Sequence, residues 1–424
     1  IKIKKTYNFT KNNFFTSITS NSKFTNKNII FIYDKNSKTK IKYIKEAIRN
    51  KVPAIISNKY FKFIPVPQFL VNDINLQTEL LLKNIYKKKP NQTIAITGTN
   101  GKTSVVWYIS KILTLLNYNN STVGTLGYFK NSKKINEVAL TTPAYEELYK
   151  YGSSYKNEDN VYIFEASSHA IDQNRLRNYP INIAAITNIS KDHLDYHKNI
   201  SNYKKTKVKL FTKYLSKNGY AIINSRIKNS SDLGKKLLHN KFKVIYFGKN
   251  FIHFNKEDNI INLNIDKKKY KIKNIKLIND IELENLECAI ACCFALHIKI
   301  NNIIPILSKI TNPPGRMQSL NYYKKKSSII IDYAHTPDAL KRTLISLKKK
   351  DKRPVLLFGC GGERDKSKRK TMGLIAKKFA SRVYITDDNP RNESPLIIRK
   401  NILKYCTNGI EIPNRKKAIK KAIN

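Results

Sequence analysis

Acidic residues are scarce in this chain of 424: 30 Asp and Glu stand against 80 Lys and Arg, for a formal net charge of +50. Tryptophan occurs once, methionine twice and cysteine five times. The cysteines (Cys288, Cys292, Cys293, Cys360 and Cys406) are odd in number and match no zinc or disulfide spacing. That argues against a disulfide scaffold or a thiolate metal centre, and reduced thiols in the cytoplasm are the simple reading. No apolar run approaches the roughly 20 residues that span a bilayer. The opening IKIKKTYNFTKNNFF has no long apolar core and no small-residue cleavage site, so neither a signal peptide nor a membrane partner is expected.

The shortage of acidic groups raises nucleic-acid binding as a function class. Such proteins concentrate their basic residues on a stripe or tail. Here the excess is mainly Lys, spread along the whole chain together with abundant Ile, Asn and Tyr, all residues with AT-rich codons. Base composition accounts for it, and no nucleic-acid partner is expected. The charge still favours anionic substrates, nucleotides among them.

What is present divides into three blocks. Residues 1–87 read as a small α/β unit, with NIIFIY (28–33) and PAIIS (53–57) as strands around the helical spacing of KIKYIKEAIRNKV, closed by the polar linker YKKKPNQ. Residues 88–315 alternate strands (TIAIT, VYIFEAS, IAAITN, YAIIN) with helical stretches, which predicts a mainly parallel sheet. From about 316 to 424 the order is strand SIIIDYA, helix PDALKRTLISLKKK, strand PVLLFGCGG, helix RKTMGLIAKKFA and strand RVYITDD. That predicts a Rossmann-like unit, ending in a basic helix.

In the central block, Gly98-Thr99-Asn100-Gly101-Lys102-Thr103-Ser104 follows a strand and opens a helix. Amides at such a turn, with the helix N-terminus behind them, hold phosphate oxygens. Lys102 is placed to neutralise the β- and γ-phosphates, and the Thr103 hydroxyl to ligate Mg²⁺. The first glycine of the full Walker A spacing is missing, so the match is G-x-x-G-K-T. Glu165 ends the strand VYIFEAS, and a carboxylate beyond a strand end near triphosphate suits Mg²⁺. After the next strand, Asp192-His193-Leu194-Asp195-Tyr196-His197 packs two Asp and two His into six residues. Alone this reads as a solvated loop; behind a phosphate loop and a Glu-ended strand it reads as part of the site. Lys207, among other lysines, reads on composition as a surface residue.

In chain order GTNGKTS, EASSH, TNISKDHLDYH, Y-x-x-x-K-x-x-L-F, GRM, DYAHTPDAL, FGCGGERDKSKR and DDNPR resemble the motifs of the Mur ligases over nearly the whole chain. DDNPR is similar to the recognition motif of the diaminopimelate-adding branch. The resemblance implies an α/β protein of three domains: a uridine-nucleotide domain, a central parallel-sheet P-loop ATPase and a C-terminal Rossmann-like domain. The implied substrates are ATP, UDP-N-acetylmuramoyl-L-alanyl-D-glutamate and meso-diaminopimelate, joined through an acyl phosphate by a cytoplasmic monomer in peptidoglycan biosynthesis. Two Mg²⁺ ions are implied, with Thr103, Glu165, His193 and a carbamylated Lys207 as ligands; Lys102, His193 and Lys207 are the implied catalytic residues. Asn285 resembles an adenine contact, Arg316 a phosphate contact and Asp332 a ribose contact. Ser22, Thr141, Thr142, Ser168, Gln173 and Arg175 match contacts to the UDP-muramoyl peptide. Arg364, Asp388, Asn389, Pro390 and Arg391 match the diaminopimelate site.

The sequence departs from the family pattern in three places. Asn21-Ser22-Lys23 replaces Asp-Ser-Arg, and of Gly-x-Phe-Asn-x-x-Asn only Asn285 is kept. The family pattern also runs on past position 424 with a Gly-Lys-Gly-His-Glu segment, so a C-terminal domain cut short is expected. The alternatives are a folylpolyglutamate synthetase-like ligase, an inactive nucleotide-binding remnant and a basic nucleic-acid binder.

Overall fold

The computed structural model describes residues 3–9, 14–36, 40–153, 160–249, 251–257, 260–277, 279–322, 327–348, 352–363 and 365–423. The apolar run of the strand Ile29–Tyr33 is almost wholly buried. It pairs in parallel with Ile55–Ser57 and with Ser17–Thr19. Parallel neighbours need a crossover, and the helix Ile41–Arg49 supplies it, burying Ile44 and Ala47. Gln68–Leu70 and the antiparallel strand Lys5–Tyr7 complete a five-stranded sheet. Asp73 then caps the helix Ile74–Ile85, accepting the Asn75 and Leu76 amides at 2.9 and 3.0 Å.

The central sheet has eight strands in the order Lys243–Phe247, Leu215–Asn224, Ile181–Ile186, Gln92–Thr97, Asn160–Glu165, Asn119–Gly124, Gly127–Lys130 and Lys133–Asn136. The first six are parallel and the last two antiparallel. Gln92–Thr97 sits in the middle, with Ile94 opposite Ile163 on one side and Ile183 on the other. Alternate side chains leave on opposite faces. Ile94 and Ile96 pack with Val105, Ile109 and Ile112 of the helix Lys102–Leu115 and with Leu286 and Ile290 of the helix Asp280–Ala295. Ala95 joins the other face, whose core reaches Leu81 and Leu82 of the N-terminal unit. Coverage on both faces explains why these strands are continuously apolar, and it leaves the carboxyl ends of the parallel strands as the place for a site.

In the C-terminal part Val355–Phe358, Arg382–Ile385 and Gly409–Glu411 form a parallel three-stranded sheet. One expectation is corrected here. The strand of SIIIDYA, observed as Ser327–Ile331, belongs to a separate two-stranded sheet and pairs antiparallel with Gln318–Tyr322. Its partner comes from upstream, so it does not open the βα alternation. The antiparallel meander His253–Glu257, Ile260–Ile265 and Lys268–Ile272 was not foreseen either. Its strands HFNKE and KKYKI are polar and mostly exposed, which hides their alternation. All five cysteines are free and buried. No helix among the described residues is long and apolar enough to cross a membrane.

Candidate active site

The phosphate loop is shaped by two glycines. Gly98 has φ +143 and Gly101 φ +86, in the region that disfavours a side chain. A Cβ on Gly98 would stand 1.8 Å from Thr187 Oγ1, and one on Gly101 would stand 2.2 Å from Asn285 Oδ1. The neighbouring strand end clamps the loop. Asn188 accepts the Thr99 amide with its carbonyl at 3.0 Å and the Asn100 amide with Oδ1 at 2.9 Å, and Thr187 Oγ1 donates to the Asn100 carbonyl at 2.6 Å. The loop therefore presents its shape before any anion arrives.

The charges converge on this loop. Lys102 Nζ donates to the Gly98 and Thr99 carbonyls at 2.9 and 2.8 Å. Lys207 Nζ donates to the same Gly98 carbonyl at 2.8 Å. Lys207 is 1 % exposed, so its reading as a surface lysine is overturned. Burial first, then Lys102 beside it, pushes Lys207 well below the ordinary lysine range, against the pull of Asp192. Lys102 is also lowered, by burial and by Arg316, while Glu165 and Asp192 oppose the shift.

Glu165, 1 % exposed, ends its strand facing the first turn of the helix Lys102–Leu115. Its Oε1 accepts the Thr103 hydroxyl at 3.0 Å and the Thr125 amide at 2.7 Å. Arg316 Nη2 donates to Thr103 Oγ1 at 3.4 Å, and its guanidinium lies 4.0 Å from the centre of the Tyr333 ring. His193 has the left-handed φ of 52, rare for a side-chain-bearing residue. Its Nε2 lies 3.3 Å from Asp192 Oδ2. Burial lowers its pKa to about 4, opposed by Asp192, so the imidazole is neutral at pH 7 with a lone pair to offer. The His169 ring stacks edge-on 4.8 Å away, and His197 Nε2 lies 3.0 Å from Ser168 Oγ.

The C-terminal part reaches this centre. Asn100 Nδ2 donates to Asp338 Oδ2, and Thr336 Oγ1 donates to Asn100 Oδ1, both at 3.4 Å. Glu284 lies 3.9 Å from Arg226 and accepts Arg342 at 2.6 Å, bridging the two parts beside Asn285.

The sequence profile of the Mur ligase middle domain matches residues 96–293, and that of the Mur ligase glutamate ligase domain matches 315–424. A curated relative from Rickettsia bellii, a UDP-N-acetylmuramoyl-L-alanyl-D-glutamate–2,6-diaminopimelate ligase, is 37% identical over 96% of this chain and 87% of its own. The chain belongs to the Mur ligase family. By that membership it is an ATP-dependent ligase. A solved structure of a ligase with the same printed name is 26% identical, with a TM-score of 0.64 over 96% of this chain and 86% of its own. The MurF ligase of Thermotoga maritima, solved with ADP, shares the fold at 16% identity and a TM-score of 0.63, over 97% of this chain and all of its own.

In this Mur ligase the motif residues fall into groups. Gly98 to Ser104 form the phosphate loop and the helix start, Glu165, Lys207, Asn285 and Arg316 touch them, and His193 lies near enough to feel the charges of Lys102 and Lys207. Asp332 lies on the same side, its carboxylate accepting the Met317 and Ala334 amides at 2.9 and 3.0 Å. Thr141, Thr142, Gln173 and Arg175 lie beyond Glu165. Thr142 Oγ1 donates to the Glu165 carbonyl at 2.7 Å, Arg175 Nη1 to the Thr142 carbonyl at 3.0 Å and Arg175 Nε to Gln173 Oε1 at 3.0 Å. Ser22 sits in the N-terminal unit, its hydroxyl donating to Glu46 Oε2 at 2.7 Å. Asp388, Asn389, Pro390 and Arg391 form a separate turn in the C-terminal part. There Asn389 accepts the Gly362 amide at 2.9 Å, and Arg391 Nη1 donates to the Gly362 carbonyl at 2.5 Å. Arg364 lies outside the described residues.

The altered stretch before Asn285 has a local explanation. Asn279 and Glu282 form a reciprocal capping box, with amide-to-side-chain bonds of 2.9 and 3.0 Å, so the helix start is held by different residues. Sequence reasoning missed Thr125, Thr187, Asn188 and Tyr203, which shape the site. Asn188 was legible as a polar residue just past a parallel strand; Tyr203, whose hydroxyl donates to Thr99 Oγ1 at 3.2 Å, was legible only inside its motif.

Proposed function

We propose that this chain joins the D-glutamate carboxylate of UDP-N-acetylmuramoyl-L-alanyl-D-glutamate to an amine of meso-diaminopimelate at the expense of ATP, as a cytoplasmic monomer. The observation that carries the reading is the meeting of Lys102, Thr103, Glu165 and Arg316 at one helix N-terminus that opens a glycine loop. The identity of the acceptor follows the name of the 37% identical relative.

The helix N-terminus, the loop amides and Lys102 bind the triphosphate, and Arg316 adds charge at Thr103. Asn285, packed against Gly101, is assigned to adenine and Asp332 to the ribose on the family resemblance. The residues suit Mg²⁺. Glu165 and Thr103 offer hard oxygen donors for one ion. Neutral His193 serves a second, along with Lys207 once its amine has added CO₂ and released a proton to give a carbamate; the lowered pKa favours the neutral amine, the form that reacts. Such ions would neutralise phosphate charge. Among the described residues no group of three or more His, Cys, Asp or Glu side chains is placed to hold a metal ion.

Thr141, Thr142, Ser168, Gln173 and Arg175, with Ser22 at the uridine end, hold the muramoyl peptide. Its carboxylate oxygen attacks the γ-phosphorus, ADP leaves, and an acyl phosphate forms. The diaminopimelate amine then attacks the acyl carbon, sheds its proton, and phosphate departs. Asp388, Asn389, Pro390 and Arg391 hold diaminopimelate, with Arg364 expected beside them. The Arg391 guanidinium has five N–H donors and can form a fork on the distal carboxylate that lysine lacks. The test is phosphate release with ATP and the UDP-muramoyl dipeptide, comparing meso-diaminopimelate, lysine and glutamate. Release that requires meso-diaminopimelate is expected; release with glutamate instead would overturn the reading.

A further inference from the structure

Glu146 belongs to none of the motifs. It stands in the first turn of the helix Tyr145–Gly152, which starts three residues after Thr142. It is 5 % exposed, and its Oε1 accepts the Ser20 amide at 2.5 Å across 126 residues of sequence. The neighbouring Glu147 is used locally, accepting the Ala144 amide at 3.1 Å. Of two adjacent carboxylates, one caps its own helix and the other reaches the N-terminal unit.

The Ser20 amide leads into the loop carrying Ser22. That loop is otherwise tied to its own unit. Asn21 Oδ1 accepts the Lys23 amide at 3.1 Å, Ser22 donates to Glu46, and Asn50 Nδ2 donates to the Ser22 carbonyl at 3.0 Å. At the other end of the same short segment, Thr142 Oγ1 bonds the Glu165 carbonyl, and Thr141 Oγ1 lies 3.2 Å from Thr125 Oγ1, which neighbours Glu165. Residues 141–146 therefore run from the carboxylate at the nucleotide centre to the loop proposed for the uridine end. A substrate with uridine at one end and a reacting carboxylate at the other must fit both at once.

We propose that Glu146 is a positioning residue. It sets the uridine-end loop at the correct distance from Glu165, acting through the Ser20 amide and not on the substrate. This rests on the muramoyl-dipeptide reading above. A buried hydrogen bond to a charged group contributes enough that its loss should change affinity by about tenfold or more.

The experiment is steady-state kinetics of the full chain with ATP, UDP-muramoyl dipeptide and meso-diaminopimelate, for wild type, Glu146→Ala and Glu146→Gln. Expected for Glu146→Ala is a rise of about tenfold or more in KM for the dipeptide, with kcat and the KM for ATP within about twofold. Glu146→Gln keeps a carbonyl acceptor, so most of the affinity returns. If Glu146→Ala does not fold, Glu146→Gln carries the test through a rise of about two- to threefold in the dipeptide KM alone. An unchanged dipeptide KM, or ATP and dipeptide KM values rising together, overturns the proposal. Wild type that fails to turn over the dipeptide overturns the functional reading itself.

Discussion

Gly101→Ala is the sharpest test of the phosphate loop. At φ +86 an alanine pays about 1–2 kcal/mol in backbone conformation alone. Its Cβ would also fall 2.2 Å from Asn285 Oδ1, and Asn285 is a buried residue on a packed helix, so it cannot simply swing aside. Overpacking of this kind costs about 1–3 kcal/mol more. The free variant relieves this strain by moving the loop out of the shape described above, and restoring that shape on binding raises Kd for a non-hydrolysable ATP analogue by between about 30-fold and several thousandfold, at 1.4 kcal/mol per tenfold. Asn285 is itself proposed to touch adenine, so the comparison needs a double-mutant cycle. In the Asn285→Ala background the overlap disappears and only the conformational part remains, so Gly101→Ala should then cost about tenfold. Calorimetric titration of the four proteins measures all the corners. An equal cost of Gly101→Ala in both backgrounds would refute the contact and the loop geometry derived from it.

Three further outcomes follow. Glu165→Gln keeps the Thr103 and Thr125 hydrogen bonds through its carbonyl but removes the charge; turnover should fall by about 100-fold or more with little change in melting temperature, measured as phosphate release across a magnesium titration. Arg391→Ala should raise KM for meso-diaminopimelate by about 100-fold and leave that for ATP unchanged, because a lost fork to a carboxylate costs about 3 kcal/mol. In the C-terminal part, the hydrogen bond from Arg369 lowers Glu393 from 4.5 to about 2. A carboxyl lowered by folding stabilises above its unfolded value and loses that contribution as pH falls from about 4.5 towards about 2, and solvent screening keeps the contribution below the full shift. Glu393→Gln should flatten this acid limb in pH-dependent urea unfolding; an unchanged limb would refute the assignment.

The phosphate loop was legible because strand, glycines and helix are contiguous, so local sequence carries the whole geometry. Glu165 was legible for a related reason: the end of a buried parallel strand is a predictable place. Lys207 was not legible from the residues alone. It sits in YKKTKVK among like neighbours, and its burial is decided by the packing of a helix against Gly98, 109 residues away. The same holds for Glu146, whose partner is in another unit. Ser327–Ile331 was recognised as a strand, but pairing depends on which edge is open, and its own composition says nothing of that. The Asn279–Glu282 capping box shows that a stretch departing from the family motif still carries its own local signal for a helix start.

The five buried thiols bear on pharmacology. Burial raises Cys292, Cys293 and Cys406, and Cys360 to about 11, which keeps them as unreactive thiols at neutral pH. Electrophilic inhibitors that depend on capturing an exposed thiolate find none among these five residues, all of which are buried. Conversely, a single cysteine introduced on its surface would stand alone as a handle for a spectroscopic label.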